Sequence, residues 1–423
     1  MNLHFELLTR PEEITALAKE LRNQPTGGNG TWDGPVVAFD TEFIRESTFF
    51  PDLQIIQVSR RDSAWLVDVQ AFRRQHREVK DWRAPLQPLL DVFTDPKILK
   101  WVHAAQGDQE CLFTNLGVVA TPIVDTAVAA ALCGFGENVG LANLLKSVLD
   151  IKLKKGHART NWGVRPLQPQ LAEYALADVT HLIELGERLA EQLRELDRWE
   201  WARELSAEFE RKENYDERPE AIAEKLLKGG RLDKKASAVL LELMRWRERR
   251  VRELNVPRRW VADDGVLMDL ARVCPQDMAH LSAFRGLNKG EMKKSGEELI
   301  RLIKKALENP ERLQLDLSRS RPPNSQESRA LDLLRCYVGI LADDNRIAAK
   351  YLLNTQQLLE VLRLHPADAE DLVKHGLMTH GAAHMVGNKI LAFLRGERAL
   401  CIADAAVNVV NVGAHGHTDA KRS

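Results

Sequence analysis

Residues 36–43 read VVAFDTEF, a run of apolar, strand-forming side chains that ends on two acids, Asp40 and Glu42. Side chains alternate across a strand, so these two carboxylates share one side. Neighbouring anions repel, which is tolerated when both are solvated at a strand end or when a cation lies between them. The triplet alone is compatible with either arrangement, and the rest of the chain has to discriminate.

Working outward, LQIIQVS (53–59) and AWLVDV (64–69) are two further β runs joined by the polar RRDS, which predicts a hairpin. ILKWVHA (98–104) reads as another strand, preceded by a helix around Pro85 to Phe93. An amphipathic helix from about Pro11 to Leu21 comes before the first strand, and NQPTGGNGTWDGP between them reads as an exposed loop. From Gly107 the pattern turns helical, around 108–116, 125–133 and 140–149, then in one long helix from Pro169 to Leu196. Strands with helices packed on them predict an α/β layer domain over residues 1–210. The charged RKENYDERPE opens a linker expected over 211–232. Residues 233–308 and 329–396 read as two all-α units, with a second linker over 309–328 and a disordered tail expected over 397–423.

Composition narrows the function classes. With 423 residues the chain is long enough for two or three cores, and 60 basic residues against 61 acidic ones neither propose nor exclude a nucleic-acid partner. The five cysteines form no CxxC pair, which argues against a zinc ribbon or a disulfide framework and fits a reducing cytoplasm. The start of the chain has no basic-then-apolar leader pattern, and no apolar run approaches the roughly eighteen residues of a membrane span.

Further acids sharpen the reading of Asp40 and Glu42. HAAQGDQE (103–110) follows a strand and puts Asp108 at the start of a helix, where capping and the helix dipole also favour an acid. EYALADV (173–179) places Tyr174 and Asp178 four residues apart, on one helical face. Four carboxylates and a phenol from separate segments suit hard divalent cations, Mg²⁺ or Mn²⁺. They also match the needs of phosphodiester hydrolysis by two ions roughly 3.5–4 Å apart.

In these motifs the chain resembles ribonuclease D, a family within the DEDD superfamily of 3′-to-5′ exonucleases. The D-x-E motif falls on Asp40 and Glu42, the second motif on Asp108, and Y-x-x-x-D on Tyr174 and Asp178. Glu173 stands where the histidine branch of the superfamily carries its histidine, so the tyrosine branch is indicated. The resemblance implies a ribonuclease H-like exonuclease domain, a mixed β-sheet flanked by helices, followed by two all-α helical bundles. It implies that Asp40, Glu42, Asp108 and Asp178 hold two ions, that Tyr174 orients the attacking water, and that 5′-mononucleotides leave from an RNA 3′ end, tRNA precursors foremost. RTNWGVRPL (159–167) also matches, except that Asn161 stands where the family usually has Asp. Asp125, within IVDTAV, matches a family pattern and reads as a helix N-cap.

Substrate contacts are expected from Phe43, against the terminal base, and from Lys154, Lys155 and Arg159 in the basic KLKKGHAR. RWRERRVRELNVPRRW (245–260) has seven arginines against two glutamates and, with FRGLNKGEMKKSGEELIRLI, is similar to the HRDC helical domain, which in its family helps engage nucleic acid. The second helical unit looks like the C-terminal module of longer ribonuclease D relatives. Two other functions stay open at this point: a 3′-to-5′ DNA exonuclease, and a non-catalytic nucleic-acid-binding protein on an exonuclease scaffold.

Overall fold

The computed structural model describes residues 2–24, 32–75, 81–153, 160–229, 232–284, 287–310 and 322–412. Six strands, β1 (Asn2–Leu8), β2 (Val36–Ile44), β3 (Asp52–Arg60), β4 (Ser63–Asp68), β5 (Leu99–Val102) and β6 (Ile123–Asp125), form one sheet in the order β1-β4-β3-β2-β5-β6. β2, β3 and β4 run antiparallel, whereas β1 pairs with β4, β5 with β2 and β6 with β5 in parallel. The sheet is therefore mixed, with β2 in its interior and helices on both faces.

The two-residue period of β2 sorts its side chains between two cores. Val37 and Phe39 join the Pro11–Arg22, Gln87–Phe93 and Gln106–Leu116 helices on one face. Val36 and Ala38 face the Thr126–Leu132, Leu182–Glu195 and Trp199–Ala207 helices on the other. The Pro169–Thr180 helix covers Ile55, Ala64 and Leu66. Asp40 and Glu42 continue the Val36 and Ala38 row, and Thr41 continues the Val37 and Phe39 row.

The structure departs from the sequence reading in four places. β1 and β6 were not anticipated. The single helix expected from Pro169 to Leu196 is two, Pro169–Thr180 and Leu182–Glu195, broken at His181. Both halves keep apolar faces on the same sheet, so their periodicity runs on across the break. The linker expected over 211–232 holds the Pro219–Gly229 helix, whose Ile222, Ala223 and Leu227 are buried against the Lys234–Leu254 helix. A proline is tolerated in a first helical turn, where no intrahelical bond needs its missing N–H. Finally, the tail expected to be disordered from residue 397 carries a hairpin, β7 (Arg398–Ala403) and β8 (Ala406–Asn411), turned by Asp404 and Ala405 at φ 52° and 60°. A two-residue turn with both φ positive normally advertises itself by Asn-Gly or Asp-Gly, and Asp-Ala does not. Residues 413–423 lie outside the described part.

The helical units differ in how they attach. The first, from Pro219 to Glu308, has its own core around Trp246, Leu243 and Leu299. Its arginines are largely balanced within it: Arg245 pairs with Glu220 and Glu242, Arg249 with Glu298, Arg250 with Glu291, and Arg252 and Arg258 with the buried Glu248. It grips the exonuclease domain through Asn255, whose Oδ1 accepts the Phe49 and Phe50 N–H groups at 3.1 and 3.0 Å. The second unit shares a continuous core with the exonuclease domain, in which Tyr337, Val386 and Leu391 join Leu185, Leu189 and Trp201. Glu204 of the exonuclease domain accepts the His380 and Gly381 N–H groups at 2.8 and 3.2 Å, and a Cβ on Gly381 would stand 2.2 Å from the Trp201 ring.

Candidate active site

The outgoing end of β2 carries Asp40 and Glu42 on one face, and the Pro169–Thr180 helix brings Asp178 to the same face. Carboxylate oxygens of these three residues lie within 4.8 Å of one another. Tyr174 sits one turn earlier on that helix, half-buried, with its ring 6.2 Å from that of the buried Trp162.

Asp108 arrives from the opposite layer, in the first turn of the Gln106–Leu116 helix. Its Oδ1 accepts the Thr41 backbone N–H at 3.0 Å and the Thr41 hydroxyl at 2.5 Å. The middle residue of D-x-E thus ties the second motif to the first. Asp40 and Asp108 each perturb the other's ionisation.

Burial and like charge raise every acid of the set. Asp40 is pushed well above the carboxylate range, first by burial and then by Asp108, Asp178 and Glu42. Burial followed by the Asp178 and Asp108 charges raises Glu42 to about 9. Burial and the Asp108 charge take Asp178 to about 7. Asp108 reaches only about 6, because the bonds from Thr41 offset its burial. The Tyr174 phenol is raised to about 12, by burial and then by the Asp178, Glu42 and Asp40 charges. Among the described residues no lysine or arginine contributes to these shifts. Among the described residues the set is a carboxylate cluster without a counter-cation.

Other groups frame the cluster. Gln57, fully buried opposite Asp40 on β3, donates to Glu42 at 3.4 Å, while its Oε1 has no hydrogen-bond partner among the described residues. Phe43 lies on the other face of β2, half-buried, its ring 3.6 Å from where a Cβ on Gly107 would stand. Arg165 donates to Asp68 through Nε at 2.7 Å and Nη2 at 2.9 Å, and to the Trp162 carbonyl at 2.7 Å, fixing the loop that supports Tyr174. Asn161 Oδ1 accepts the Gly163 N–H at 3.0 Å, a turn that an aspartate oxygen serves equally well. Lys154, Lys155 and Arg159 lie outside the described residues.

The four acids and Tyr174 singled out in the sequence are therefore brought to one place, whereas Phe43 points to the opposite face. Sequence reasoning missed Thr41, Gln57 and the Arg165–Asp68 pair. Only the last had a visible signal, an arginine beside the tyrosine motif and an unpaired acid closing an apolar strand.

The 3′-5′ exonuclease family model matches residues 5–194, and the HRDC domain model matches residues 236–303. Ribonuclease D of Bartonella henselae is 30% identical over 410 residues, 96% of this chain and 94% of that one. The chain belongs to the ribonuclease D family. Ribonuclease D of Jannaschia sp. is 31% identical over 384 residues, covering 89% of this chain and 95% of its own. The crystal structure of Escherichia coli RNase D superposes with a TM-score of 0.74 at 24% identity, over 91% of this chain and 99% of that one, and agrees in fold. The chain is a 3′-to-5′ exoribonuclease, and the DNA-exonuclease and non-catalytic alternatives are not favoured. Its exonuclease fold is divalent-metal dependent, and the all-oxygen cluster of Asp40, Glu42 and Asp178 fits such an ion. Among the described residues no helix is long and apolar enough to cross a membrane.

Proposed function

We propose that the protein trims the 3′ ends of structured RNA in the cytoplasm, tRNA precursors foremost, and that Asp40, Glu42, Asp108 and Asp178 hold two Mg²⁺ or Mn²⁺ ions for that hydrolysis. The observation that carries this reading is the convergence of three carboxylates within 4.8 Å, with Asp108 bonded alongside. When bound, such ions supply an activated water and stabilise the leaving oxygen. E. coli RNase D, of the same fold, is an exoribonuclease involved in structured RNA processing.

The chain's own groups have distinct parts in this proposal. Tyr174, with a pKa raised to about 12, stays protonated at neutral pH and acts as an orienting hydrogen-bond partner for the attacking water, not as a base. Trp162 and the Arg165–Asp68 pair hold that phenol in place. Thr41 fixes the rotamer of Asp108 by holding its Oδ1 at two points, which leaves Oδ2 as the oxygen for an ion. Phe43, which lies against the residue preceding Asp108, is assigned to the terminal base by its aromatic side chain alone. Lys154, Lys155 and Arg159 are assigned to backbone phosphates by their charge alone.

The test uses purified protein, 5′-labelled RNA and single-stranded DNA, Mg²⁺ or Mn²⁺, and the Asp40→Ala variant. A ladder that shortens from the RNA 3′ end, requires the metal and vanishes in the variant is expected. Metal-independent shortening, or an undiminished ladder from the variant, would sink the assignment.

A further inference from the structure

Asp125 is 1% exposed, and the hydrogen bonds to its carboxylate come from backbone N–H groups. Oδ1 accepts the Ala127 N–H at 2.8 Å, which makes Asp125 the N-cap of the Thr126–Leu132 helix. That is the role its sequence context predicts. It accounts for one of three bonds.

The other two cross to a different element. Oδ1 also accepts the Ala104 N–H at 2.9 Å, and Oδ2 accepts the Ala105 N–H at 2.9 Å. Ala104 has φ 60°, the left-handed region that a residue with a Cβ avoids, and Ala105 is the N-cap of the Gln106–Leu116 helix with no side-chain cap of its own. Asp125 therefore holds the strained elbow between β5 and the helix whose first turn carries Asp108. The adjacent Thr126 reinforces it: its Oγ1 donates to the Val102 carbonyl at 3.1 Å and lies 2.9 Å from His103 Nδ1. The Asp125 N–H in turn is held by Ser206 Oγ at 3.0 Å.

We propose that Asp125 is a positioning residue for Asp108: by clamping the Ala104–Ala105 elbow it fixes where the Asp108 carboxylate stands relative to Asp40, and so sets metal affinity without touching the metal. This rests on the metal-site reading above. One buried carboxylate thus starts two helices, one of which delivers a ligand. Because a residue before the helix is held in the left-handed region, loosening the clamp lets the elbow relax toward ordinary backbone and rotates the first turn.

Substitutions separate the two roles. Asp125→Ser keeps a hydroxyl for its own N-cap but is too short to reach the elbow. The expected result is a lowered but still cooperative thermal transition, with Mn²⁺ affinity in calorimetric titration and kcat on a single-stranded RNA oligonucleotide each lowered about tenfold, the scale seen when supporting partners of metal ligands are removed. KM for the oligonucleotide stays unchanged. Adding Ala104→Gly, which makes the left-handed turn intrinsically acceptable, restores part of the Mn²⁺ affinity. Asp125→Asn, which turns an amide donor toward one of the N–H groups, lowers Mn²⁺ affinity as well. Parent-like Mn²⁺ binding in Asp125→Ser overturns the proposal, as does loss of cooperative melting in both Asp125→Ser and Asp125→Asn, which confines Asp125 to the scaffold. A parent protein that binds no Mn²⁺ overturns the metal reading and this assignment together, so the two failures are told apart in one titration.

Discussion

Thr41 Oγ1 donates to Asp108 Oδ1 at 2.5 Å, joining the central strand of the sheet to a helix 67 residues further along the chain. The bond lies under the carboxylate cluster, on the face of β2 opposite Asp40 and Glu42. Removing the hydroxyl while keeping the shape, as in Thr41→Val, leaves the backbone N–H as the remaining bond to Asp108 Oδ1 and frees its rotation. A fall in kcat of about tenfold is expected, the equivalent of about 1.4 kcal/mol in the transition state, with KM for RNA unchanged. Steady-state kinetics on an RNA oligonucleotide checks it, and a changed KM with parental kcat would refute it.

Tyr174→Phe keeps the ring against Trp162 and deletes the phenol. If the phenol orients water, kcat falls by about 10² or more, the melting temperature holds, and the pH profile keeps its shape, because a group raised to about 12 does not titrate in the working range. A pH profile that loses a limb in the variant would mean that Tyr174 serves as a base.

The Arg165–Asp68 pair is a stability prediction. The two side chains are 14% and 6% exposed, and Asp68 also accepts the Gln70 and Ala71 N–H groups at the start of the following helix. Arg165→Met leaves a buried carboxylate without its cation, at a cost of about 3 kcal/mol. Adding Asp68→Asn recovers part of that, since the stranded charge goes with it. Denaturant melts of the two single variants and the double variant measure the coupling, and strict additivity would show that the pair does not act as a unit.

How much of this was legible in the sequence depended on the range of each signal. The D-x-E and Y-x-x-x-D spacings are local, so strand and helix periods placed Asp40 with Glu42 and Tyr174 with Asp178 before any fold was known. The β3–β4 hairpin was equally local. β1 had its signal in the alternation of Leu3, Phe5 and Leu7, but β6 is three residues long, too short for a period to register. Asp125 and Thr41 illustrate a different limit. Each looks ordinary in its own segment, an N-cap and a strand threonine, and acts through a partner 20 and 67 residues away respectively. The arginine-rich helix errs the other way: its charge stands out in one segment, while the glutamates that balance it are spread over three helices, Glu220 on the one before, Glu242 and Glu248 on the same one, and Glu291 with Glu298 on a later one.

The attachment of the second helical unit gives a steric prediction. A Cβ on Gly381 would lie 2.2–2.6 Å from Trp201 atoms, and Trp201 is 2% exposed in the shared core. Gly381→Ala must therefore displace the tryptophan or lift the helix off Glu204. Overpacking of this kind costs about 1–3 kcal/mol, and limited proteolysis is expected to cut the variant between the exonuclease domain and the second unit earlier than the parent. A parental melting temperature and cleavage pattern would show that the contact is soft.

The raised carboxylates make stability depend on pH and metal together. An acid whose pKa is higher folded than unfolded binds its proton more tightly in the native state, so its stabilising effect is full below the unfolded value near 4 and is lost as pH rises through the folded value. With Asp108 at about 6, Asp178 at about 7 and Glu42 at about 9, the metal-free protein is expected to lose stability progressively between about pH 4 and 9 through these groups. Divalent metal favours the ionised forms and releases their protons, so it should stabilise the protein more at pH 9 than at pH 5. The opposing term from His103, whose pKa is lowered mainly by burial, is the same with and without metal and cancels in the difference. Melting temperatures in EDTA and in excess Mg²⁺ across that range give the difference directly, and Glu42→Gln should flatten its upper half. A metal-induced shift that is independent of pH would mean that these acids are already ionised in the metal-free protein.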